Sequence, residues 1–248
     1  MHGGLKYPHA NLSLRSPFHS HSRDFFWEYF FHMSHTLLEK KERMRIVVRE
    51  LKKLFPDTRT SLHYQTIWQL LVAVVLSARC TDKKVNEVTQ VLFKKYTTLE
   101  SIARTHVSDF EKDIRHIGLY RGKAKNIVAA AKIITQKYGG RVPDTLDELI
   151  ELPGVGRKTA NVVLSEGFNK ATGIAVDTHV TRLAKKFGLT TQTTPDTIEN
   201  DLMEILPKKE WRHFTTRMID YGRTYSSARV KGYTDPISEV LYKKKLLP

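Results

Sequence analysis

From about residue 37 onward, apolar positions along this chain recur at spacings of three and four, the period of amphipathic helices. The pattern predicts helices over 37–55, 66–76, 83–96, 99–103, 107–114, 123–138, 145–151, 157–167, 178–187, 197–206 and 211–221. The run IWQLLVAVVL within the second is apolar on all sides, so it must be buried all round. Pro56 ends the first helix, and Pro153 with Gly154 ends the seventh. No stretch alternates strictly between apolar and polar, as a half-buried strand does. The expected fold class is therefore all-α, about ten helices joined by short loops.

Before residue 37 no period is sustained. Residues 1–23 contain no acid, and FFWEYFF follows at 25–31. A basic, serine-containing, acid-poor start is compatible with an organellar transit peptide. A disordered tail, or sequence translated ahead of a start at Met33, is the preferred expectation for residues 1–36. Composition then narrows the function classes. The 248 residues carry 41 Lys and Arg against 26 Asp and Glu, a net charge of +15. Such a balance is the electrostatic footprint of a nucleic-acid binder, although a merely basic protein or one that binds anionic lipid has the same balance. No apolar run reaches the roughly 18 residues of a membrane span. The single cysteine, Cys80, excludes an internal disulfide framework and any multi-cysteine metal site, and is expected as a small core residue.

Two stretches carry candidate chemistry. Leu152-Pro153-Gly154-Val155-Gly156 is a glycine-framed turn followed at once by Arg157, Lys158 and Thr159. Glycines leave the backbone uncluttered, and the free N–H groups of a helix start attract anions, phosphate above all. An ordinary turn between two helices is the alternative. A related turn, Gly118-Leu119-Tyr120-Arg121-Gly122, lies about 35 residues earlier and also places glycine and basic residues before a helix. Further on, Asp177-Thr178-His179 leaves the apolar run Gly173-Ile174-Ala175-Val176. The positive end of a helix dipole, with cations beside it, is an unfavourable place for the ammonium of Lys158, and a neutral lysine amine forms Schiff bases. A partly desolvated Asp177 is able to accept a proton or balance a developing cation. The alternative makes Lys158 a solvated helix residue and Asp177 only an N-cap.

LPGVGRKTANVVL followed by AVDTH resembles the helix-hairpin-helix and Gly/Pro-Asp signature of the endonuclease III family of DNA base-excision glycosylases. The resemblance runs from about residue 37 to 225 and takes in LLVAVVLSARCTDKKVN and IGLYRGKAKNI. It implies a two-domain α fold with DNA across the cleft: a six-helix barrel over 61–169, and a second domain from 37–60 plus 170–248. It implies that Lys158 is the Schiff-base lysine and Asp177 the catalytic aspartate. The reaction implied is flipping of a damaged base, an oxidised pyrimidine by kinship, attack on C1′, and β-elimination 3′ to the lesion. Pro153, Gly154, Val155 and Gly156 match the hairpin that clamps phosphate, and Arg157, Thr159, Thr81 and His179 are expected among the DNA contacts. The implied partner is double-stranded DNA with damaged bases or abasic sites, bound by a cytoplasmic monomer without membrane attachment. A nuclear or organellar protein is the alternative if the first 35 residues are a transit peptide.

Two positions depart from the family pattern. Arg79 stands where relatives often carry the Gln that fills the gap left by the flipped base. Many relatives also hold a [4Fe–4S] cluster on four cysteines spaced C-x6-C-x2-C-x5-C. Those positions fall here on Ser226, Tyr233, Pro236 and Tyr242, so no cofactor is expected and the segment must pack by other means, with Tyr225, Tyr233, Leu241 and Tyr242 as candidates. Lys231, Lys243, Lys244 and Lys245 keep it basic. Competing expectations are a monofunctional glycosylase for alkylated or mismatched bases and a non-catalytic helix-hairpin-helix module.

Overall fold

The computed structural model describes residues 21–229 and 232–247, with side chains from residue 36. Twelve helices and no strand are present among these residues. They are α1 (His21–Leu54), α2 (Ile67–Ser77), α3 (Asp82–Lys95), α4 (Leu99–Arg104), α5 (Val107–Asp113) and α6 (Tyr120–Lys137), then α7 (Leu146–Ile150), α8 (Arg157–Gly167), α9 (Thr178–Lys186), α10 (Pro195–Ile205), α11 (Lys208–Thr224) and α12 (Pro236–Lys243). No helix among the described residues is long and apolar enough to cross a membrane.

The chain divides into two units, residues 1–39 and 40–248. In the first, the described backbone is the leading part of α1, which starts at His21, well ahead of residue 37. Residues 21–36 hold neither glycine nor proline, so nothing in them breaks the helix. The expectation for residues 1–20, like Lys231, lies outside the described residues.

The second unit contains the chemistry. Local sequence starts its helices firmly. Thr66, Thr81, Thr98, Thr145, Asp177, Thr194 and Asp235 each accept the N–H three residues on. Such caps are each worth about 1 kcal/mol. Pro195 and Pro236 stand at the first helical position, where a missing N–H costs nothing. As its composition demands, α2 is buried from Gln69 to Leu76 and packs against α3, α6 and α8. One continuous core runs from Leu62 to Leu164. Further buried residues lie at Met44, Val47 and Leu51 on α1 and at Leu183, Phe187, Ile198, Leu202, Phe214, Met218 and Tyr221 on α9 to α11. Arg43, whose guanidinium donates to the carbonyls of Leu246 (2.6 Å) and Gly188 (3.2 Å), and Arg217, which donates to those of Phe55 (3.1 Å) and Pro56 (3.3 Å), tie α1 to the later chain.

Two expectations change. Cys80 sits in the turn after α2, half-buried against the core, because the helix already ends at Ser77. The C-terminal segment contains a helix, α12, that the periodicity reading left out; its buried Ile237 and Leu241 are four apart.

Candidate active site

The turn between α7 and α8 gives its two glycines different work. Gly154 has φ +79°, and a Cβ there would lie 2.9 Å from Asn126 on α6. Both the backbone angle and the close approach of α6 require glycine. Gly156 has an ordinary extended φ of −90°, and no atom lies within 4 Å of where its Cβ would be. It caps α8 without any side-chain hydrogen bond, so the first N–H groups of α8 are left to an external acceptor. Pro153 is half-buried. Val155 is buried in the core, and its N–H donates to the carbonyl of Leu152 at 3.0 Å. Val155 therefore anchors the turn, and only its flanks are open.

Lys158, the second residue of α8, is exposed and makes no hydrogen bond or ion pair among the described residues. Its neighbours are committed. The Nε of Arg157 donates to Glu199 at 2.7 Å, and Thr159 is half-buried. The charge of Lys158 acts on Asp82 at the start of α3. Burial pushes the Asp82 carboxyl up, but hydrogen bonds from Arg223 (2.9 Å) and Ser61 (2.7 Å), with the charges of Arg223 and Lys158, hold it below the usual range. Asp82 and Arg223 line a groove of about 1110 Å³, together with Ser61, His63, Asn86 and Thr81. Neither Lys158 nor Asp177 lines it.

Asp177 is half-buried and caps α9, its Oδ1 accepting the Val180 N–H at 2.8 Å. Asp177 is therefore an N-cap through one oxygen, and the second carboxylate oxygen keeps no partner among the described residues. The segment before it is clamped from two sides. The hydroxyl of Thr215 donates to the carbonyl of Ala175 (2.9 Å), and the N–H of Ile174 donates to Glu199 (3.0 Å). His179, expected as a DNA contact, is half-buried. Its buried Nδ1 has no partner, and a Cβ on Gly222 of α11 would lie 2.4 Å from it.

A second exposed point lies where α2 ends and α6 begins. Arg79 (φ 54°) and Leu119 (φ 59°) both take left-handed backbone and both side chains are exposed. A Cβ on Gly118 would meet the Arg79 carbonyl at 3.4 Å, so the two turns touch. Beneath them Lys123 is buried and donates to the carbonyls of Leu76 (2.9 Å) and Ala78 (2.6 Å), closing the end of α2. Burial holds its ammonium below the usual lysine range. Thr81 is exposed, its hydroxyl already capping α3. Leu119 escaped the sequence reading. Its signal is an apolar residue in a capping position, next to Gly118, with no core for it to enter.

The donor set at the four cluster positions does not fit an iron–sulfur group. Ser226 is fully buried and bonded to Asp235 (3.3 Å) and Lys186 (3.2 Å). The rings of Tyr233 and Tyr242 stack at 6.3 Å, and Pro236 opens α12. No group of three or more His, Cys, Asp or Glu among the described residues is placed to hold a metal ion. The centre of this region is Asp235. Its carboxylate receives Lys186 at 2.7 Å, the Ser238 hydroxyl at 2.8 Å, the Ser238 N–H at 3.1 Å and the Tyr221 hydroxyl. Burial alone raises the Asp235 carboxyl, yet these bonds hold it below the aspartate range. Burial, then Asp235, pushes the Tyr221 phenol above its own. Of the residues expected to pack the segment, Leu241 is core, Tyr225 lies between Phe55 and Tyr221, and Tyr242 is largely exposed.

Comparison with known proteins is consistent with this arrangement. Residues 72–208 match the family model described as HhH-GPD superfamily base excision DNA repair protein. The chain is 45% identical over 193 residues to an endonuclease III of Synechocystis sp., covering 78% of this chain and 88% of that one. It is 42% identical over 189 residues to an endonuclease III of Bacillus subtilis, covering 76% and 86%. The solved structure of a trapped endonuclease III–DNA covalent intermediate superposes with a TM-score of 0.76 at 42% identity, covering 84% of this chain and 99% of that one.

Proposed function

The chain belongs to the HhH-GPD superfamily of base excision DNA repair proteins, and from that premise we infer that it is a DNA glycosylase with abasic-site (AP) lyase activity that removes oxidised pyrimidines. The observation that carries the reading is Lys158. It stands exposed and unpaired at the uncapped start of α8, directly after the open Gly156.

DNA strand phosphate meets the free N–H groups beside Gly156, while Pro153, Val155, Arg157 and Thr159 shape the turn that offers them. Arg79, with Leu119 beside it, enters the stack where the damaged nucleotide leaves, and Thr81 flanks that entry. Flipping costs a few kcal/mol, least for a damaged base. Asp177, through the oxygen not used by its cap, takes the lysine proton and balances positive charge on the sugar. The neutral Nζ of Lys158 then forms a bond to C1′. The glycosidic bond breaks, its electron pair leaves with the base, and the base gains a proton. Ring opening gives the imine between Nζ and C1′, which acidifies C2′. Loss of a C2′ proton expels the 3′ phosphate as an anion, and water releases the lysine. His179 supports α9 against Gly222 more than it reaches DNA. The chain works without an iron–sulfur cluster, the Asp235 contacts holding the segment that thiolates hold in relatives. It acts as a monomer on cytoplasmic DNA.

Borohydride reduction during reaction with abasic duplex tests this. A covalent enzyme–DNA adduct is expected from the native protein and none from Lys158→Ala. Asp177→Asn should bind abasic-analogue duplex normally and lose base release; unchanged release would reduce Asp177 to a cap. Gly156→Ala should fold normally and bind more weakly, since only an incoming phosphate would meet the new methyl group. The logarithm of affinity should fall with the logarithm of salt concentration, by roughly 0.9 in slope per phosphate contact.

A further inference from the structure

Three donors from two segments converge on one buried carboxylate, that of Glu199 on α10. Its side chain is 4% exposed. Oε2 accepts the Nε of Arg157 at 2.7 Å. Oε1 accepts the amide of Asn161 at 2.9 Å and the backbone N–H of Ile174 at 3.0 Å. Arg157 and Asn161 are one turn apart on α8 and bracket Lys158. Ile174 lies three residues before Asp177, in the clamped segment that delivers it. Asn161 adds a second link, its carbonyl oxygen accepting the Thr172 hydroxyl at 3.3 Å. There is no slack at the junction: a Cβ on Gly173 would lie 2.1 Å from Glu199 Oε1 and 2.8 Å from the Asn161 amide nitrogen.

A buried carboxylate persists only when donors replace its water. Here those donors come from the helix that carries the nucleophile and the segment that carries the acid. We propose that Glu199 is the positioning residue that registers Lys158 against Asp177, acting through Arg157, Asn161 and the Ile174 N–H. The proposal rests on the reading that Lys158 and Asp177 perform the reaction. Glu199 itself touches no DNA. Reaction rates are steep in such registration, a displacement of about 1 Å costing on the order of 100-fold.

Single-turnover β-elimination on preformed abasic duplex, with the full-length enzyme in excess, tests the role. Glu199→Gln keeps the shape but offers one oxygen to three donors and turns an N–H2 group toward them. Its rate should fall by about 10- to 100-fold, while affinity for duplex containing a tetrahydrofuran abasic analogue changes by less than about threefold, roughly half a tenfold step in binding energy. Gly173→Ala, which pushes the same carboxylate from the Asp177 side, should show the same split, and Glu199→Asp a smaller one. Leu202→Ala, on the same helix but remote from the carboxylate, should lower the unfolding midpoint and leave the rate of the folded enzyme unchanged. If Glu199→Gln does not fold, Glu199→Asp and Gly173→Ala carry the test. A rate in the Glu199 and Gly173 variants that follows only the folded fraction, as in Leu202→Ala, would overturn the proposal. Native protein that yields no borohydride adduct would overturn it together with the lyase reading; native protein that traps while Glu199→Gln traps equally fast would overturn Glu199 alone.

Discussion

Two buried carboxylates organise this molecule, and they do so differently. Glu199 gathers Arg157, Asn161 and the Ile174 N–H, and its cation partner is 43% exposed in its side chain. Asp235 gathers Lys186, Ser226, Ser238 and Tyr221, and its cation partner is only 13% exposed. The first joins the helix that carries Lys158 to the segment that carries Asp177. The second joins α9, α11 and α12 around Ser226 and Pro236. Similar chemistry thus holds a geometry in one place and a fold in the other. The difference lies in how far each cation is withdrawn from water, because a charge left unpaired costs little at a wet site and much at a dry one.

The comparison makes ranked predictions. Asp235→Asn leaves Lys186 buried without its counter-charge, a loss of about 3–5 kcal/mol for a dry pair. For a chain of this size that lowers the thermal midpoint by roughly 10 °C. Single-turnover elimination by the folded fraction should stay near the native rate; a large loss of rate without loss of stability would erase the contrast with Glu199. Next is the acid side. The folded-state value of Asp235 is depressed, so its contribution is complete above the unfolded aspartate value of about 3.9. That contribution disappears as pH falls through the lower folded value. Denaturant midpoints taken from pH 7 to pH 3 should show this acid arm in the native protein and a shallower one in Asp235→Asn. Glu199→Gln follows, at about 1–3 kcal/mol for buried donors left unpaired, measured by urea unfolding. Arg157→Gln is smallest, about 1 kcal/mol or less, because its guanidinium is partly solvated.

The legible part of the sequence was local. Apolar spacing located α2 to α11 to within a few residues, since six of these ten helices begin on a side-chain cap that the local sequence supplies. The Asp177 cap was readable for the same reason, as was the turn ahead of Lys158. What escaped was long-range. Glu199 is 42 residues from Arg157, and Lys186 is 49 residues from Asp235, and no local pattern pairs them. That the Nδ1 of half-buried His179 lies under Gly222 of α11 is likewise a long-range fact. Helix α12 carries a readable Asp-Pro start, but its 8 residues are too few to sustain an apolar period. Gly154 and Gly156 look alike in sequence; only the approach of Asn126 separates a packing glycine from an open one.

The central claim is that the amine of Lys158 bonds to the sugar. Peptide mapping of the borohydride-reduced complex by mass spectrometry tests it most directly. The account predicts one modified peptide, with the deoxyribose-derived mass on Lys158. A modification on a different residue, or no covalent adduct with abasic duplex under reducing conditions, would contradict it.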